Sequence, residues 1–174
     1  DVSTDGFGST TQSGSLTANA PAGSTVVAAY LYTSTYTNSA APIGNTLNGS
    51  LVTYTANLGT TAPCCTLTAF RADVTSIVAP IINGGVGGAY NFTMTETSSL
   101  QDGEALVVVY SNAALATTTI GILDGFSAVT GDSTSINFVT PLDPTAAGFQ
   151  AEMRLGIGFS CCSQMSTVAV NGTT

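Results

Sequence analysis

Apolar and polar residues alternate with a period of two through most of the chain, and clusters of turn-forming residues separate the alternating segments. Because successive side chains of a β-strand point to opposite faces, this pattern predicts strands with one buried and one exposed face. The predicted strands cover residues 13–18, 25–34, 50–54, 66–72, 89–96, 105–111, 117–123, 133–139, 152–160 and 166–170. No segment repeats apolar residues at helical spacing over three turns, so the sequence predicts an all-β chain.

One short segment departs from the alternation. Asp73 is placed to cap a helical turn, and Pro80 is placed to end it. Val74, Ile77 and Val78 would share the apolar face of that turn. We therefore expect at most one short helical turn.

Ten short strands with regular turn signals are typical of two packed antiparallel sheets, a β-sandwich or a jelly roll. Residues 106–110 are apolar on both faces, which predicts a central strand covered on each side. A chain of 174 residues is long enough for one domain with its own core. We find no internal repeat and no long linker, so we predict one domain over residues 1–174, in which residues 1–15 form an exchangeable terminal strand.

The charged residues narrow the range of functions. The chain has no His and no Lys, its two basic residues are Arg71 and Arg154, and its net charge is −8. Ser-His-Asp, Cys-His and Ser-Lys catalysis are excluded because the base is missing. A basic patch for nucleic acid cannot be assembled, and no apolar run reaches the roughly 20 residues that span a bilayer. We predict a non-enzymatic protein without a cofactor, without nucleic-acid binding and without membrane insertion.

Carboxylates are the remaining candidates for catalytic or metal chemistry. They include Asp102, Glu104, Asp124, Asp132, Asp143 and Glu152. Paired carboxylates hydrolyse glycosides, and grouped oxygen ligands hold calcium. Turn or loop formation explains the presence of Asp102, Asp124 and Asp143, each of which precedes Gly or Pro. Glu152 is explained by an ion pair with one of the two arginines. We expect that replacing Glu104 by Gln and Asp124 by Asn changes nothing. A structural calcium ion remains an alternative, although no typical calcium loop is present.

The cysteines form two adjacent pairs, Cys64 with Cys65 and Cys161 with Cys162. An even number of cysteines in a chain this poor in reactive groups is typical of disulfides in an oxidising compartment. A bond between adjacent cysteines closes a strained ring, so we favour two bridges that join one pair to the other, with the vicinal bonds as the alternative. Zinc is disfavoured because adjacent cysteines rarely converge in a tetrahedral site.

Two features are candidates for carbohydrate chemistry. Asn48, Asn91 and Asn171 each begin an Asn-X-Ser/Thr sequon, and a glycan on them would mark an extracellular surface. Four tyrosines are candidates for a stacking platform that binds sugars: Tyr30, Tyr32, Tyr36 and Tyr54. Two of the four, at positions 30 and 32, share a face of one predicted strand, and burial of that face is the competing interpretation.

Several segments are informative as an ordered set: residues 16–26, 28–32, 72–78, 103–110 and 123–126. Together they resemble a domain of secreted bacterial surface proteins, the type that precedes immunoglobulin-like repeats or a cell-surface sorting tail. The chain departs from that family at Thr33 and Glu104, where the family usually has Trp. The resemblance implies a β-sandwich at the cell surface or in the extracellular matrix with no known enzymatic activity, and it transfers no catalytic residue.

These observations favour a secreted structural protein. The chain starts at Asp1 without Met or an apolar leader, which fits a mature secreted product. The absence of Lys removes one device that keeps exposed strand edges from pairing. We predict a self-assembling subunit of a pilus-like extracellular filament or cell-surface layer, built by β-strand addition with residues 1–16 or 167–174 as the added strand. The alternative is a monomeric adhesin or carbohydrate-binding module whose partners are surface glycans.

Overall fold

The computed structural model describes residues 1–8, 11–36, 40–61, 66–125, 128, 131–157 and 167–173. Two antiparallel sheets and one short helix form the described fold, so the predicted all-β sandwich is confirmed. The strands are β1 (Val2–Phe7), β2 (Ser13–Ala20), β3 (Thr25–Thr35), β4 (Thr46–Leu47), β5 (Ser50–Leu51), β6 (Ala56–Thr61), β7 (Leu67–Asp73), β8 (Gly88–Thr95) and β9 (Gln101–Ser111). The helix is α1 (Thr75–Ile82).

One sheet has five strands in the order β1-β9-β3-β7-β6, and the other has four strands in the order β2-β8-β4-β5. The inner faces of the two sheets enclose one apolar core, because the period-two pattern directs every second side chain inward. Its largest fully buried side chains include Leu16, Leu31, Phe92, Met94 and Leu106. Each sheet therefore contributes one wall of the core.

β9 has the interior position in its sheet that its apolar sequence predicted, since it pairs with β1 on one side and β3 on the other. Leu106 and Val108 point into the core and are buried. Val107 and Val109 lie on the outer face and are half-buried. The predicted coverage is therefore complete on the inner face and partial on the outer face.

α1 follows directly after β7 and lies along β3. β7 pairs with β3 only as far as the Tyr30–Asp73 register position. Beyond it, Ala29 O accepts a hydrogen bond from Val74 N at 2.9 Å, and the Thr75 hydroxyl accepts one from Ala29 N at 2.9 Å. The helix thus satisfies the backbone groups of β3 that β7 does not reach.

Both ends of α1 differ from the prediction. Val74 takes the cap position and makes no side-chain capping hydrogen bond, while Asp73, one residue earlier, accepts a hydrogen bond from Thr75 N at its Oδ1, 2.9 Å away. The prediction that Pro80 ends the helix is wrong, because Pro80 lies inside α1, which continues to Ile82. Pro80 and Ser76, whose carbonyl loses a helical partner, are both exposed, so water can satisfy that carbonyl.

Two strands, β4 and β6, were not predicted, β1 was expected only as part of an exchangeable terminal strand over residues 1–15, and one strand is shorter than predicted. β1, β4 and β6 contain few apolar residues, so alternation does not reveal them. β1 is a strand because it pairs with β9, from the Val2–Val109 pair to the Phe7–Glu104 pair. The strand predicted over residues 50–54 is only the two-residue β5.

The C-terminal third, residues 112–173, is the largest difference from the prediction. Strands were predicted over 117–123, 133–139, 152–160 and 166–170, and none is present in the described part of these segments. A single bridge between Val170 and Thr173 is the only β-pairing described after Ser111. The described core takes no residue from beyond Tyr110. Alternation specifies which side chains share a face, but a strand also needs a partner for its backbone.

Candidate functional site

A group of polar side chains is buried at the end of the sandwich where β3 and β8 finish and β9 begins. We call it the carboxyl cluster, and it consists of Thr33, Asn45, Tyr54, Glu96, Gln101 and Glu104. Glu104 is its centre and is only 4% exposed. Buried polar groups are costly unless hydrogen bonds compensate them, so the contacts of this cluster define what it can do.

One oxygen of Glu104 gathers the donors of the cluster. Its Oε1 accepts hydrogen bonds from Tyr54 OH at 2.6 Å, from Gln101 Nε2 at 3.0 Å and from Asn45 Nδ2 at 3.2 Å. The other oxygen, Oε2, is buried without a hydrogen-bond partner. Gln101 Oε1 and Glu96 Oε1 are also buried and unpartnered.

The period-two pattern of β8 and β9 explains why the two glutamates are inside. Glu104 continues the inward series of Leu106 and Val108, and Glu96 continues the inward series of Phe92 and Met94. From the sequence, Glu104 was considered without its burial and Glu96 was not identified, although this continuation of the alternation was a signal for both. Alternation did not identify Asn45 or Gln101, because Asn45 lies outside the strands and Gln101 lies beyond an irregularity in β9.

That irregularity is centred on Gly103, which has a φ of +80° inside β9. Asp102-Gly103 was predicted to be a turn, and this is wrong, because the pair forms a bulge within the strand. A Cβ on Gly103 would lie 2.2 Å from Phe7 O, so no larger residue fits. The Gly103 carbonyl accepts a hydrogen bond from the Thr33 hydroxyl at 2.9 Å, which holds Thr33 in the cluster.

No cation neutralises the cluster in the described structure, because both arginines pair elsewhere. Arg71 forms an ion pair with Asp124, and Arg154 forms one with Glu152 at 2.6 Å. Burial therefore raises the pKa of Glu104 well above its ordinary value. Burial, together with the charge of Asp102, raises the pKa of Glu96 to about 7.

A carboxyl group that stays protonated near neutral pH can both donate and accept a proton. Burial and the neighbouring Glu104 also raise the pKa of Tyr54, so its phenol remains a donor. Glu104 and Tyr54 thus meet without charge repulsion. The cluster supplies a hydroxyl, an amide and a proton-bearing acid in a place that water does not reach.

The four tyrosines predicted as a platform do not come together. Tyr54 is in the carboxyl cluster, and Tyr36 donates a hydrogen bond to Asp102 Oδ1 at 3.2 Å. Tyr30 and Tyr32 share the outer face of β3 as predicted, and both are half-buried. The side chain of Arg71 lies over the Tyr30 ring, 5.1 Å from its centroid, so a sugar could not stack on that side.

Asp124 connects the C-terminal third to this outer face. Besides its ion pair with Arg71, it accepts a hydrogen bond from Tyr32 OH at 3.2 Å. Burial and the charge of Asp124 raise the pKa of Tyr32 to about 12. Asp124 and Glu104, both expected to be replaceable without consequence, each make defined contacts.

The remaining predicted carboxylates have local roles. Asp132 Oδ2 accepts a hydrogen bond from Ala128 N at 2.9 Å, and Asp143 Oδ1 accepts one from Thr145 N at 2.9 Å. Glu152 pairs with Arg154. Within the described ranges, no three His, Cys, Asp or Glu side chains are grouped to hold a metal ion. The described part of the chain also contains no helix long and apolar enough to cross a membrane.

The asparagines of the three sequons are all exposed. Asn48 lies at a φ of 48° in the turn between β4 and β5, and Asn171 lies at a φ of 51° in the turn that closes the Val170–Thr173 bridge. Asn91 lies on β8. Glycosylation of these asparagines stays a prediction.

Cys64, Cys65, Cys161 and Cys162 lie outside the described residues, so their pairing also stays a prediction. Their places in the sequence are nevertheless informative. The first pair falls between β6 and β7, and the second pair follows residues 151–157. A bridge between the pairs would bring these two regions together.

The two flanks of the sandwich differ. On one flank, side chains of β1 bind the backbone of β2, with Thr17 N donating to Asp5 Oδ2 at 2.7 Å and Asn19 N donating to Ser3 Oγ at 2.9 Å. On the other flank, β6 is an edge strand. It carries no charged residue and no proline, which are two of the features that protect an edge from further pairing, and a register shift interrupts its ladder with β7 between Asn57 and Gly59.

Comparison of the chain with protein-family models, with curated proteins and with solved structures finds no match in any of the three. The function is therefore inferred from the carboxyl cluster, the β6 edge and the exposed C-terminal third.

Proposed function

We propose that this chain is a secreted, non-enzymatic structural subunit that assembles with copies of itself by β-strand addition. The observation that carries the proposal is the segment 152–157, which we call the donor segment. It alternates like a strand, yet Met153, Leu155 and Ile157 are 55%, 56% and 68% exposed. Apolar side chains exposed in such a series are typical of a surface that binds a partner.

The β6 edge supports the proposal as the acceptor. An edge strand offers unpaired backbone N–H and C=O groups, and an added strand satisfies them while its alternate side chains enter apolar contacts. Among the described strands, β6 pairs with β7 alone. The donor segment supplies an apolar side chain at every second position, which is the spacing that strand addition needs.

The positions of the cysteines also support this pairing. Cys64 and Cys65 follow β6 in the sequence, and Cys161 and Cys162 follow the donor segment. Disulfides between the two pairs, as predicted from the sequence, would fix the donor segment beside β6. Bridges between two chains would lock an assembly, whereas bridges within one chain would complete a single subunit.

The location at the cell surface rests on two further expectations, the oxidising compartment that disulfides require and the resemblance to secreted bacterial surface domains. The small number of charged residues in the chain is consistent with both expectations. We assign no catalytic turnover to the protein.

The test is size measurement by light scattering together with electron microscopy, on the wild type and two matched variants. Leu155→Asp places a charge in the donor segment, and Val86→Asp places the same charge on a turn of the sandwich, where Val86 is 95% exposed. We expect filaments or oligomers from the wild type and from Val86→Asp, and monomers from Leu155→Asp. Monomers of the wild type at high concentration would overturn the proposal and favour the monomeric adhesin.

A third variant tests the other terminal strand. Deletion of residues 1–15 removes β1, which in this structure pairs with β9 of its own chain. Loss of assembly in this deletion, with assembly retained in Leu155→Asp, would identify β1 as the exchanged strand instead of the donor segment.

A further inference from the structure

Four side-chain oxygens without a hydrogen-bond partner are buried at one end of the core. They are Oε2 of Glu104, Oε1 of Glu96, Oε1 of Gln101 and Oγ1 of Thr35. The exposed fractions of these residues are only 4%, 5%, 7% and 3%, in the same order. A buried oxygen without a partner is costly. Four such oxygens at one end of the core therefore point to a group that binds oxygen.

The pairing of the strands places these oxygens in one region between the two sheets. Thr35 and Gln101 are register partners on β3 and β9, and Gln101 Nε2 contacts Glu104 Oε1 at 3.0 Å. Glu96 directly follows β8 on the facing sheet, and its charge acts on Glu104. One sheet therefore supplies three of the oxygens, and the other sheet supplies the fourth.

The hydrogen-bond donors of the carboxyl cluster are already in use. Tyr54, Asn45 and Gln101 all donate to Oε1 of Glu104, and none of them donates to Oε2. Both arginines pair with carboxylates elsewhere in the described structure. A region with several acceptors, two ionisable carboxyls and no remaining donor favours a positive ion.

We propose that these oxygens bind one calcium ion, with Glu96 and Glu104 as charged ligands and Gln101 and Thr35 as neutral ligands. Two carboxylates balance the charge of a divalent ion. Calcium takes oxygen ligands from carboxylates and amide carbonyls in flexible geometry, and water completes its shell. Magnesium retains more of its water, and zinc prefers nitrogen and sulfur ligands. The site has two acidic ligands, which is consistent with the absence of any group of three in the described ranges.

The electrostatics of this region agree with a cation site. Asp102 is half-buried near Glu96, and its charge acts together with burial to raise the pKa of Glu96 to about 7. Burial also raises the pKa of Glu104. A bound calcium ion would displace the protons that neutralise these carboxyls. It would also connect the two sheets within one chain, so binding does not depend on assembly between copies.

The experiment is calorimetric titration of calcium chloride into the chelator-treated full chain at pH 8, with melting temperatures measured in parallel. We expect one ion per chain with a Kd of about 10⁻⁴ M or lower. The melting temperature should rise by about 5–10 °C when calcium is in roughly hundredfold excess over the Kd. Magnesium should give a clearly smaller rise. An equal rise with magnesium, or no binding of calcium by the wild type, would overturn the proposal.

The carboxylate variants locate the ion. Glu96→Gln and Glu104→Gln should each remove calcium binding. Because the amide resembles the protonated acid, neither should lower the melting temperature measured without calcium. Glu152→Gln is the control, since it makes the same change at an exposed carboxylate that pairs with Arg154. It should bind calcium as the wild type does. Binding retained in both cluster variants, or lost in the control, would overturn the proposal.

The hydroxyl variants test the position of the ion between the sheets. Thr35→Val removes a neutral ligand and should raise the Kd by about tenfold or more. Ser34→Ala is its control, because the Ser34 hydroxyl is also buried without a partner but lies on the opposite face of β3. The Kd of Ser34→Ala should equal that of the wild type. Equal weakening in the two variants would contradict the site.

Discussion

The sandwich of residues 1–111 and the C-terminal third have similar sequence patterns and different structures. Phe92 on β8 is fully buried, whereas Leu155 in the donor segment is 56% exposed. Both residues belong to alternating apolar and polar segments. β8 has β2 and β4 as neighbours, and no strand pairs with the described part of the donor segment. Alternation therefore defines a face, and a neighbouring strand is what turns that face into a core.

The largest expected effect comes from truncating one residue of each region. Phe92→Ala removes a fully buried ring and should lower the free energy of unfolding by about 3–5 kcal/mol. Leu155→Ala should change it by less than about 0.5 kcal/mol when the protein is kept dilute and monomeric. Urea denaturation followed by circular dichroism measures both. An equal loss of free energy of unfolding in the two variants would mean that the donor segment packs within its own chain. That result would contradict the difference between the two regions.

The second prediction concerns pH and depends on the raised pKa of Glu96 in the sandwich. Glu96 in the sandwich has its pKa raised from 4.5 to about 7, so between these values the native state holds more protons than the unfolded state. The free energy of unfolding should therefore fall as the pH rises from about 5 to about 8, by roughly 1–2 kcal/mol after allowance for screening. The raised pKa of Glu104 acts in the same direction. Melting temperatures at both pH values measure the effect.

Glu96→Gln is the control for this prediction, since the amide resembles the protonated acid. It should flatten the pH dependence and raise the melting temperature near pH 8. Asp143 and Glu152 in the C-terminal third have their pKa values lowered by hydrogen bonds, so their titration lies below this range. A pH dependence unchanged in Glu96→Gln would contradict the assignment.

The smallest effect is expected at the ion pair that joins the two regions. Arg71→Gln removes the partner of Asp124, and Arg154→Gln removes a pair confined to the C-terminal third. The Arg71 side chain is 33% exposed, so the loss of its pair should cost only about 0.2–1 kcal/mol, and the loss of the exposed pair of Arg154 with Glu152 should leave the free energy of unfolding almost unchanged. Limited proteolysis should distinguish the two, with faster cleavage near residue 124 in Arg71→Gln only. Equal cleavage rates would show that this pair does not hold the segment against the sheet.

The sequence was sufficient for the parts of the fold in which each strand contains its own signal. The predicted bounds of β2, β3, β7 and β8 lie within two residues of those observed, and β9 was recognised from its apolar residues 106–110 although it begins at Gln101, four residues before the predicted start. β1 and β6 are strands because neighbouring strands pair with them. Their own residues carry no local pattern that would predict a strand. The predicted C-terminal strands are the opposite case. Their residues alternate, but no neighbouring strand is described that pairs with them.

Only part of the carboxyl cluster could be predicted from the sequence. The alternation of β9 could have placed Glu104 inside, but the general expectation that a glutamate is exposed led to another interpretation. The sequence could not predict that Gln101 Nε2 donates a hydrogen bond to Thr33 Oγ1. This contact depends on the bulge at Gly103 and on the register between strands that are distant in sequence. Bulge positions follow from packing between strands and not from local propensity.

The side-chain bonds from Asp5 and Ser3 to the backbone of β2 have a geometric consequence for an assembly. They occupy one flank of the sandwich, whereas β6 at the other flank pairs with β7 alone among the described strands, so the two sides of a subunit in the proposed assembly would not be equivalent. A subunit that donates with one surface and accepts with a different one makes head-to-tail contacts, which do not close on themselves as a two-fold dimer does. Such a chain of subunits has a direction, with one end able to receive the next molecule and the other end not.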